Sequence, residues 1–374
     1  MPIPTALREP QPPLRLNLEN HRKQARSLLN AARAGDARAL RRLAALQQPP
    51  LKLESGERWS LHHAQRAIAR ELGFASWSKL KAHIEADHGP LLLSLGGAVN
   101  NALESEADQP LFVDPYARAL AGERGFELHR QLGSTTWPPY AAGPAPEQSI
   151  LTRYYDDALQ AAVRDLALTQ VVLFDAGMDT RAFRLRWPSR VTLFEIDDAR
   201  VFAHKEAVLR GKRAKPKCGR RVVRATLAGG AWSAKLLAAG FDARRAAAFL
   251  IPRLVHFDAA TVQRVFQALG EIACEGSWLG VDFFSVDTLE SPFMQPLQEK
   301  LVAFGFPPWR FGVRDPEAFL AEHGWRAQCT VLGAPDASYG RWRYGYTPRT
   351  IPDRGIPRNY LAVALRMANE ERAR

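Results

Sequence analysis

The chain has 374 residues, of which 46 % are hydrophobic and 24 % charged, enough for one large or two ordinary soluble domains. Its longest apolar runs, such as residues 246–251, are too short to span a bilayer, and its first residues lack the apolar stretch of a signal peptide. Three widely spaced cysteines, without a C-x-x-C pair, argue against a disulfide framework or a zinc site and suit a reducing cytoplasm.

The formal net charge of +12 has two interpretations. Residues 1–90 contain 15 Lys or Arg and 8 Asp or Glu, so they contribute +7 of this charge. A basic field of this kind attracts nucleic acid, anionic lipid or acidic peptides. The alternative is an ordinary solvated arginine-rich surface, which we favour because the basic residues alternate with alanine and leucine and form no long block.

The first quarter of the chain predicts a small helical module. Residues 1–14 are rich in proline and are predicted to be a disordered tail. Helical spacing of apolar residues then predicts helices over residues 18–34, 36–46, 61–72 and 77–86. A His-Gly-Pro sequence at 88–90 predicts a linker. We therefore expect a helical module at 15–88, suited to binding a peptide or protein partner, and a second domain at 91–374.

Residues 91–160 are predicted to be mainly helical, with helices at 93–106 and 115–121. The loop at 133–146 is rich in proline and contains Trp137 and Tyr140. Such a loop before a ligand-binding sheet is typical either of a lid or substrate wall, or of a rigid connection, and the sequence does not separate these two roles.

The segment VVLFDAGMDTRAFRLRWPSRVTLFEIDD, residues 171–198, predicts half of a nucleotide-binding α/β unit. A buried strand ends at a turn containing Gly177, and a second strand ends in acids. A dinucleotide site requires three glycines spaced G-x-G-x-x-G, which are absent here. Asp179 would repel a pyrophosphate and tolerate a cationic ligand, so these residues favour S-adenosylmethionine, with its sulfonium. The alternative is an ordinary βαβ crossover.

The remaining chain alternates strands and helices. Strands are predicted at 220–225, 246–251, 278–284, 326–332 and 360–365, with helices at 200–210, 231–239, 259–273 and 316–323. This order predicts an α/β fold, a doubly wound and mostly parallel Rossmann-like sheet with an antiparallel pair at its end.

From about residue 101 to 366 the chain resembles bacterial class I methyltransferases of the leucine carboxyl methyltransferase family. The matching segments are ALESEADQPLFVDPYARALAG, SILTRYYDDAL, VVLFDAGMDTRAFRL, LFEIDDARVFAHK, LAAGFD, FGVRDPEAFLAEHGW and YLAVALR. DTRAFRL followed by FEIDD is the most specific of these. The resemblance implies methyl transfer from S-adenosylmethionine, often to oxygen, and does not extend to the helical module.

The resemblance also implies site residues. Ala176, Gly177 and Asp179 match the turn beside the methionine part of the cofactor. Glu195 and Asp197 match the acids that hold the ribose hydroxyls, and we favour Glu195. Arg153 matches a basic position that would pair with the cofactor carboxylate, the alternative being a salt bridge with Asp156 or Asp157.

Three departures from the family pattern fall within this predicted site. Asp175 stands where the family usually has glycine. Thr226-Leu227 replaces an aspartate before leucine at the adenine contact, which removes charge assistance. Leu250-Ile251-Pro252-Arg253 replaces Ala-Glu-Gly-Leu after the fourth strand. These departures are compatible with a new acceptor, weakened cofactor binding or lost activity.

Two residues are candidates for catalysis. His256 is placed to act as a general base for a hydroxyl or amine acceptor, although a packed histidine is the commoner case. Arg253 is placed to bind an acidic acceptor or to lie on the surface. We expect O-methylation of a carboxylate or hydroxyl on a small molecule or modified peptide. The alternatives are a catalytically silent binding or scaffold protein and an RNA methyltransferase, which no stacking motif or recognition helix supports.

Overall fold

The structure is a computed structural model that describes residues 18–45, 59–72, 74–133, 143–351 and 355–368. The predicted tail at 1–14 and the aromatic residues of the loop at 134–142, Trp137 and Tyr140, lie outside these ranges. The chain divides into two compact units, Met1–His88 and Gly89–Arg374. The α-helices are α1 Leu18–Arg33, α2 Ala37–Ala45, α3 Leu61–Glu71, α4 Trp77–Ser105, α5 Ala117–Gly133, α6 Pro146–Asp165, α7 Arg181–Arg184, α8 Ala199–Gly211, α9 Trp232–Ala238, α10 Ala259–Ile272, α11 Val286–Glu290, α12 Gln295–Ala303 and α13 Pro316–Glu322.

The first unit is built from amphipathic helices. Ala25, Leu29, Leu43, Ala64 and Ile68 pack together as its small core, on the apolar faces of α1, α2 and α3. The helix that follows differs from the prediction. Helix α4 continues through 88–90, so the expected separation into two helices is wrong, although the two compact units divide between His88 and Gly89, within the predicted linker.

The second unit is organised around one sheet. Its strands are β1 Gln170–Phe174, β2 Thr192–Asp197, β3 Gly219–Arg224, β4 Ala248–Ile251, β5 Trp278–Phe284, β6 Trp325–Val331 and β7 Asn359–Arg366. Within the described residues their order is β3-β2-β1-β4-β5-β7-β6. The first five strands are parallel, and β7 is antiparallel to both β5 and β6. The predicted doubly wound sheet with a terminal antiparallel pair is confirmed.

Apolar side chains cover both faces of this sheet. Along β1, Val172 and Phe174 pack into the core on one face, whereas Val171 and Leu173 pack into the core on the other. A strand places successive side chains on opposite faces, so an uninterrupted apolar run requires helices on both sides. This explains why β1 is buried along its whole length.

The order of the strands places a crevice at the carboxyl ends of β1 and β4. The chain passes from β1 to β2 to β3 in one direction and then returns to β4, which lies beside β1. Helices that follow β1 and β4 therefore leave on opposite faces, and the carboxyl ends of these strands open into a gap where α/β proteins bind ligands.

Candidate functional site

A cavity of about 110 Å³, partly open to solvent, lies at the carboxyl ends of β1, β4 and β5. Its walls come from the second half of α4, from α6 and from the turn after β1. The polar and charged residues that line it include Ser94, Asn101, Asp175, Arg184, Arg253 and Asp282.

The turn after β1 is a left-handed bend. Asp175 has φ +43° and Gly177 has φ +46°. Aspartate tolerates this region better than most residues, which explains how it can stand where the family usually has glycine. Glycine at 177 is required for a second reason: a Cβ there would lie 2.8 Å from Ser94 Oγ. The close approach at Gly177 in this structure is therefore to helix α4.

The loop after β4 joins three strand ends. Arg253 also has a left-handed backbone, with φ +63°. Its amide N–H donates to Asp282 Oδ1 at the end of β5 (3.0 Å), and its Nη2 donates to the carbonyl oxygen of Asp175 (2.8 Å). Backbone strain of this kind is concentrated at functional sites, and here it is found on both sides of the crevice.

Two acids of the crevice have raised pKa values. Burial, followed by the nearby Asp197 carboxylate, raises the pKa of Asp175 to about 7, against the opposing charge of Arg253. Burial likewise raises the pKa of Asp282 to about 6. These carboxyl groups therefore change charge near neutral pH. The ionised forms would favour a bound cation.

A buried ion network supports the turn. Arg181 Nε donates to Asp156 Oδ1 (2.7 Å), and the Arg181 guanidinium also pairs with Asp179. Arg184 pairs with Asp156 from the other side. Burial alone would raise the pKa of Asp179, but the charge of Arg181, with smaller effects of Lys205 and Arg184, lowers it. Most of the Asp179 charge is thus balanced within the protein.

Three buried atoms of the crevice residues lack hydrogen-bond partners in the part of the chain that the structure describes: Asn101 Oδ1, an acceptor, Arg184 Nε, a donor, and the hydroxyl oxygen of Thr180. Buried polar atoms of this kind cost free energy unless a ligand or water completes them. An acceptor and a charged donor without partners, on residues that line one cavity, match the ammonium and carboxylate groups of an amino acid.

Glu195 is not placed for ligand binding. It is fully buried in β2, where Oε2 accepts hydrogen bonds from Lys205 Nζ (2.8 Å) and Arg220 Nη2 (2.7 Å), and Oε1 accepts one from Arg220 Nε (3.1 Å). This placement does not support the expectation that Glu195 holds the ribose, because the carboxylate is fully buried and is already paired with two cations. Sequence spacing alone does not distinguish it from Asp197, two residues further on the same face.

Asp197 is placed at the strand end. Its Oδ2 accepts from the Gly177 amide and its Oδ1 from the Asp198 amide, each at 2.6 Å. Each oxygen retains a second lone pair. Burial raises the pKa of Asp197. Beyond it, Thr226 is exposed, whereas Leu227 is buried in the core. None of these three is among the described residues that line the cavity.

Arg153 and His256 are not part of the described cavity lining either. Arg153 pairs with Asp157 (2.7 Å) and donates to the Leu111 carbonyl oxygen, which is the structural alternative considered above. His256 Nδ1 donates to the Pro307 carbonyl oxygen (3.1 Å). Burial, and then Arg253, lowers the pKa of His256 to about 4, so this packed histidine is neutral at pH 7.

Asn101, Arg184 and Asp282 were not among the site residues expected from the sequence. For Asp282 a signal existed, because it is a lone acid inside the apolar strand WLGVDFF. Asn101 and Arg184 lie on helices whose approach to the crevice only the fold reveals. Among the described residues, no cluster of histidine, cysteine and acids suitable for a metal ion is found, and no helix is long and apolar enough to cross a bilayer.

The sheet order and the crevice between β1 and β4 define a Rossmann-like methyltransferase fold. The family model for leucine carboxyl methyltransferase matches residues 94–270. The chain belongs to the leucine carboxyl methyltransferase family, as the resemblance implied.

Several bacterial proteins match about two thirds of this chain. A Streptomyces coelicolor protein with the provisional name S-adenosyl-L-methionine-dependent methyltransferase is 32% identical over 262 residues, which cover 66% of this chain and 87% of the relative. A Frankia alni protein with the same provisional name is 32% identical over 259 residues, covering 66% and 86%. The crystal structure of a DUF574 family protein from Streptomyces avermitilis is 15% identical, with a TM-score of 0.46, and covers 72% of this chain and 96% of that one.

Proposed function

We propose that this protein is an S-adenosylmethionine-dependent methyltransferase that uses the crevice between β1 and β4. The observation that carries the proposal is a set of buried polar atoms without partners, among them Asn101 Oδ1 and Arg184 Nε, on residues that line one cavity beside acids that can ionise near pH 7. The family membership and the provisional names of the relatives support it.

The residues present fit this cofactor. Arg184 and Asn101 would hold its amino-acid end, and Asp197 would accept hydrogen bonds from the ribose hydroxyls with its remaining lone pairs. Asp175 and Asp282 would face the positive charge. When bound, S-adenosylmethionine supplies an activated methyl group, so that positioning of the acceptor provides much of the rate.

The acceptor side of the crevice is formed by Arg253 and Asp282. Nε and Nη1 of Arg253 form no hydrogen bond with the described residues, so the guanidinium retains donors for an acceptor carboxylate. A hydroxyl acceptor must lose its proton, and Asp282 is the carboxylate placed to take it. We therefore propose O-methylation of a carboxylate or hydroxyl, with Asp282 in the role first considered for His256.

A binding measurement tests the cofactor site. We expect S-adenosylhomocysteine to bind the full-length chain, and Asp197→Asn to weaken binding roughly 10-fold, since a charged hydrogen-bond acceptor is lost. Asp198→Asn is the matched control, because Asp198 bonds to Arg200 on the surface. Isothermal titration gives both dissociation constants. Absence of heat with the wild type would contradict the proposal, and equal weakening by both variants would contradict the role of Asp197.

The pH dependence of binding tests the charge of the crevice. Asp175 is neutral below its pKa of about 7 and negative above it, so S-adenosylmethionine should bind several-fold more tightly at pH 8 than at pH 6. S-adenosylhomocysteine, whose sulfur is neutral, should change much less. Asp175→Asn should reduce the pH dependence for S-adenosylmethionine while Asp198→Asn preserves it. A parallel pH response of the two ligands would show that these acids do not face the sulfur.

A catalytically silent binding protein is the second candidate. It is favoured by the packing of Ser94 against Gly177, and by Arg253, whose Nη2 lies 3.6 Å from the position of a Cβ on Gly177. Both groups restrict the space above the turn. The titration with S-adenosylhomocysteine distinguishes the candidates, because a silent member with this arrangement should release no heat.

A further inference from the structure

A second groove lies at the amino ends of β1, β2 and β3, opposite the carboxyl ends where the crevice opens. Its volume is about 290 Å³, and it is open to solvent. Three arginines line it, Arg190, Arg221 and Arg245, together with the hydroxyl-bearing Thr169 and Thr192. Residues of the methyltransferase crevice are absent from its described lining, so the two sites are separate.

The positive charge of this groove is not balanced locally. Asp242 is the acid among the described lining residues, and its carboxylate accepts hydrogen bonds from Arg244 at 3.0 and 3.2 Å. The guanidinium groups of Arg190 and Arg245 form no hydrogen bond or salt bridge with the described part of the chain, although the Asp242 carboxylate is near enough for Arg245 to lower its pKa, after the larger effect of Arg244. Three guanidinium groups around one concavity repel each other unless an anion lies between them.

The floor of the groove is held in place by polar contacts. Gln170 is buried, and its side-chain amide forms reciprocal hydrogen bonds with the backbone of Asp242 (3.0 and 2.8 Å). Arg221 Nη1 donates to the Ala239 carbonyl oxygen (2.9 Å). The Arg221 guanidinium also lies against Gly240, where a Cβ would be 3.3 Å from Nη1. One of the three cations is therefore fixed before any ligand arrives.

We propose that this groove binds the phosphate group of a small anionic ligand. Guanidinium groups offer several N–H donors in a planar arrangement that matches phosphate oxygens, and threonine hydroxyls add further donors. The site takes either free inorganic phosphate or the phosphate of a nucleotide. This site is separate from methyl transfer, because its residues lie at the amino ends of the strands, whereas the crevice lies at their carboxyl ends.

Titration calorimetry on the full-length chain in 0.15 M salt tests this proposal. We expect saturable binding of inorganic phosphate or of ATP, unchanged by saturating S-adenosylhomocysteine. Tighter binding of ATP would identify a nucleotide site, and equal or weaker binding a site for free phosphate. Arg190→Gln/Arg245→Gln should reduce the affinity at least roughly 10-fold, through loss of two charged donors.

Arg210→Gln/Arg314→Gln is the matched control, since it removes the same charge from exposed positions outside the groove. This control should bind phosphate and ATP as the wild type does. Equal losses in both double variants would mean that only the overall charge attracts the anion, and would overturn the proposal. Failure of both ligands to give saturable heat with the wild type would overturn it as well.

Discussion

Glu195→Gln should lower the free energy of unfolding by about 3–5 kcal/mol, because it leaves buried cations without their counter-charge. Lys205 is fully buried, and its Nζ contacts only the Glu195 carboxylate among the hydrogen bonds of the described residues. Arg220 is largely buried and loses one of its two acid partners. Urea unfolding of the full-length chain measures the change as a lower midpoint at unchanged slope.

Two further variants identify the cause. Glu206→Gln removes the other, partly exposed partner of Arg220 and should cost under about 1 kcal/mol. Adding Lys205→Met to Glu195→Gln should recover part of the loss, because no unpaired ammonium then remains in the interior. If Glu195→Gln instead left stability unchanged and weakened S-adenosylhomocysteine binding, Glu195 would be the ribose ligand after all.

Glu195 also shows what the sequence could and could not predict. The short apolar runs predicted β1, β2 and the turn between them to within a residue or two, because a strand that is buried on both faces is apolar along its whole length. Which acid at the end of β2 points outward depends on Lys205 and Arg220. These come from α8 and β3, and their approach to β2 is a property of the packed fold.

The same limit applies on the other side of the crevice. Short apolar runs in the sequence predicted β4 and β5, and both strands are buried in the structure. His256 was the conspicuous titratable residue near β4, but the local chain directs its ring to the Pro307 carbonyl oxygen. Asp282, 26 positions later in the sequence, reaches the crevice because β5 pairs with β4.

Two of the three departures from the family pattern are in direct contact in the structure. Arg253, which stands where the family has leucine, donates to the carbonyl oxygen of Asp175, which stands where the family has glycine. Both residues have left-handed backbones. Because the pKa of Asp175 is raised to about 7, the folded protein loses stability relative to the unfolded chain as the pH rises from about 3.9, the ordinary aspartate pKa, to about 7. A bound cation would relieve this cost, which links the stability of the turn to cofactor binding.

Arg181→Gln should destabilise the protein by about 3–5 kcal/mol at pH 7, because Asp179 loses its cationic partner while Asp156 keeps only Arg184. Arg153→Gln is the matched control. Arg153 forms a half-exposed pair with Asp157, worth under about 1 kcal/mol. Urea unfolding at several pH values compares the two variants with the wild type.

The pH dependence separates a charge effect from lost packing. Because Arg181 lowers the pKa of Asp179, this acid adds stability that is present above the unfolded pKa of about 3.9 and is lost as the pH falls through the folded value. In Arg181→Gln, burial raises that pKa instead, so protonation becomes favourable in the folded state. The difference between variant and wild type should therefore shrink towards pH 4, and Asp179→Asn should partly rescue the variant at pH 7. A difference that stayed constant from pH 7 to pH 4 would assign the role of Arg181 to packing.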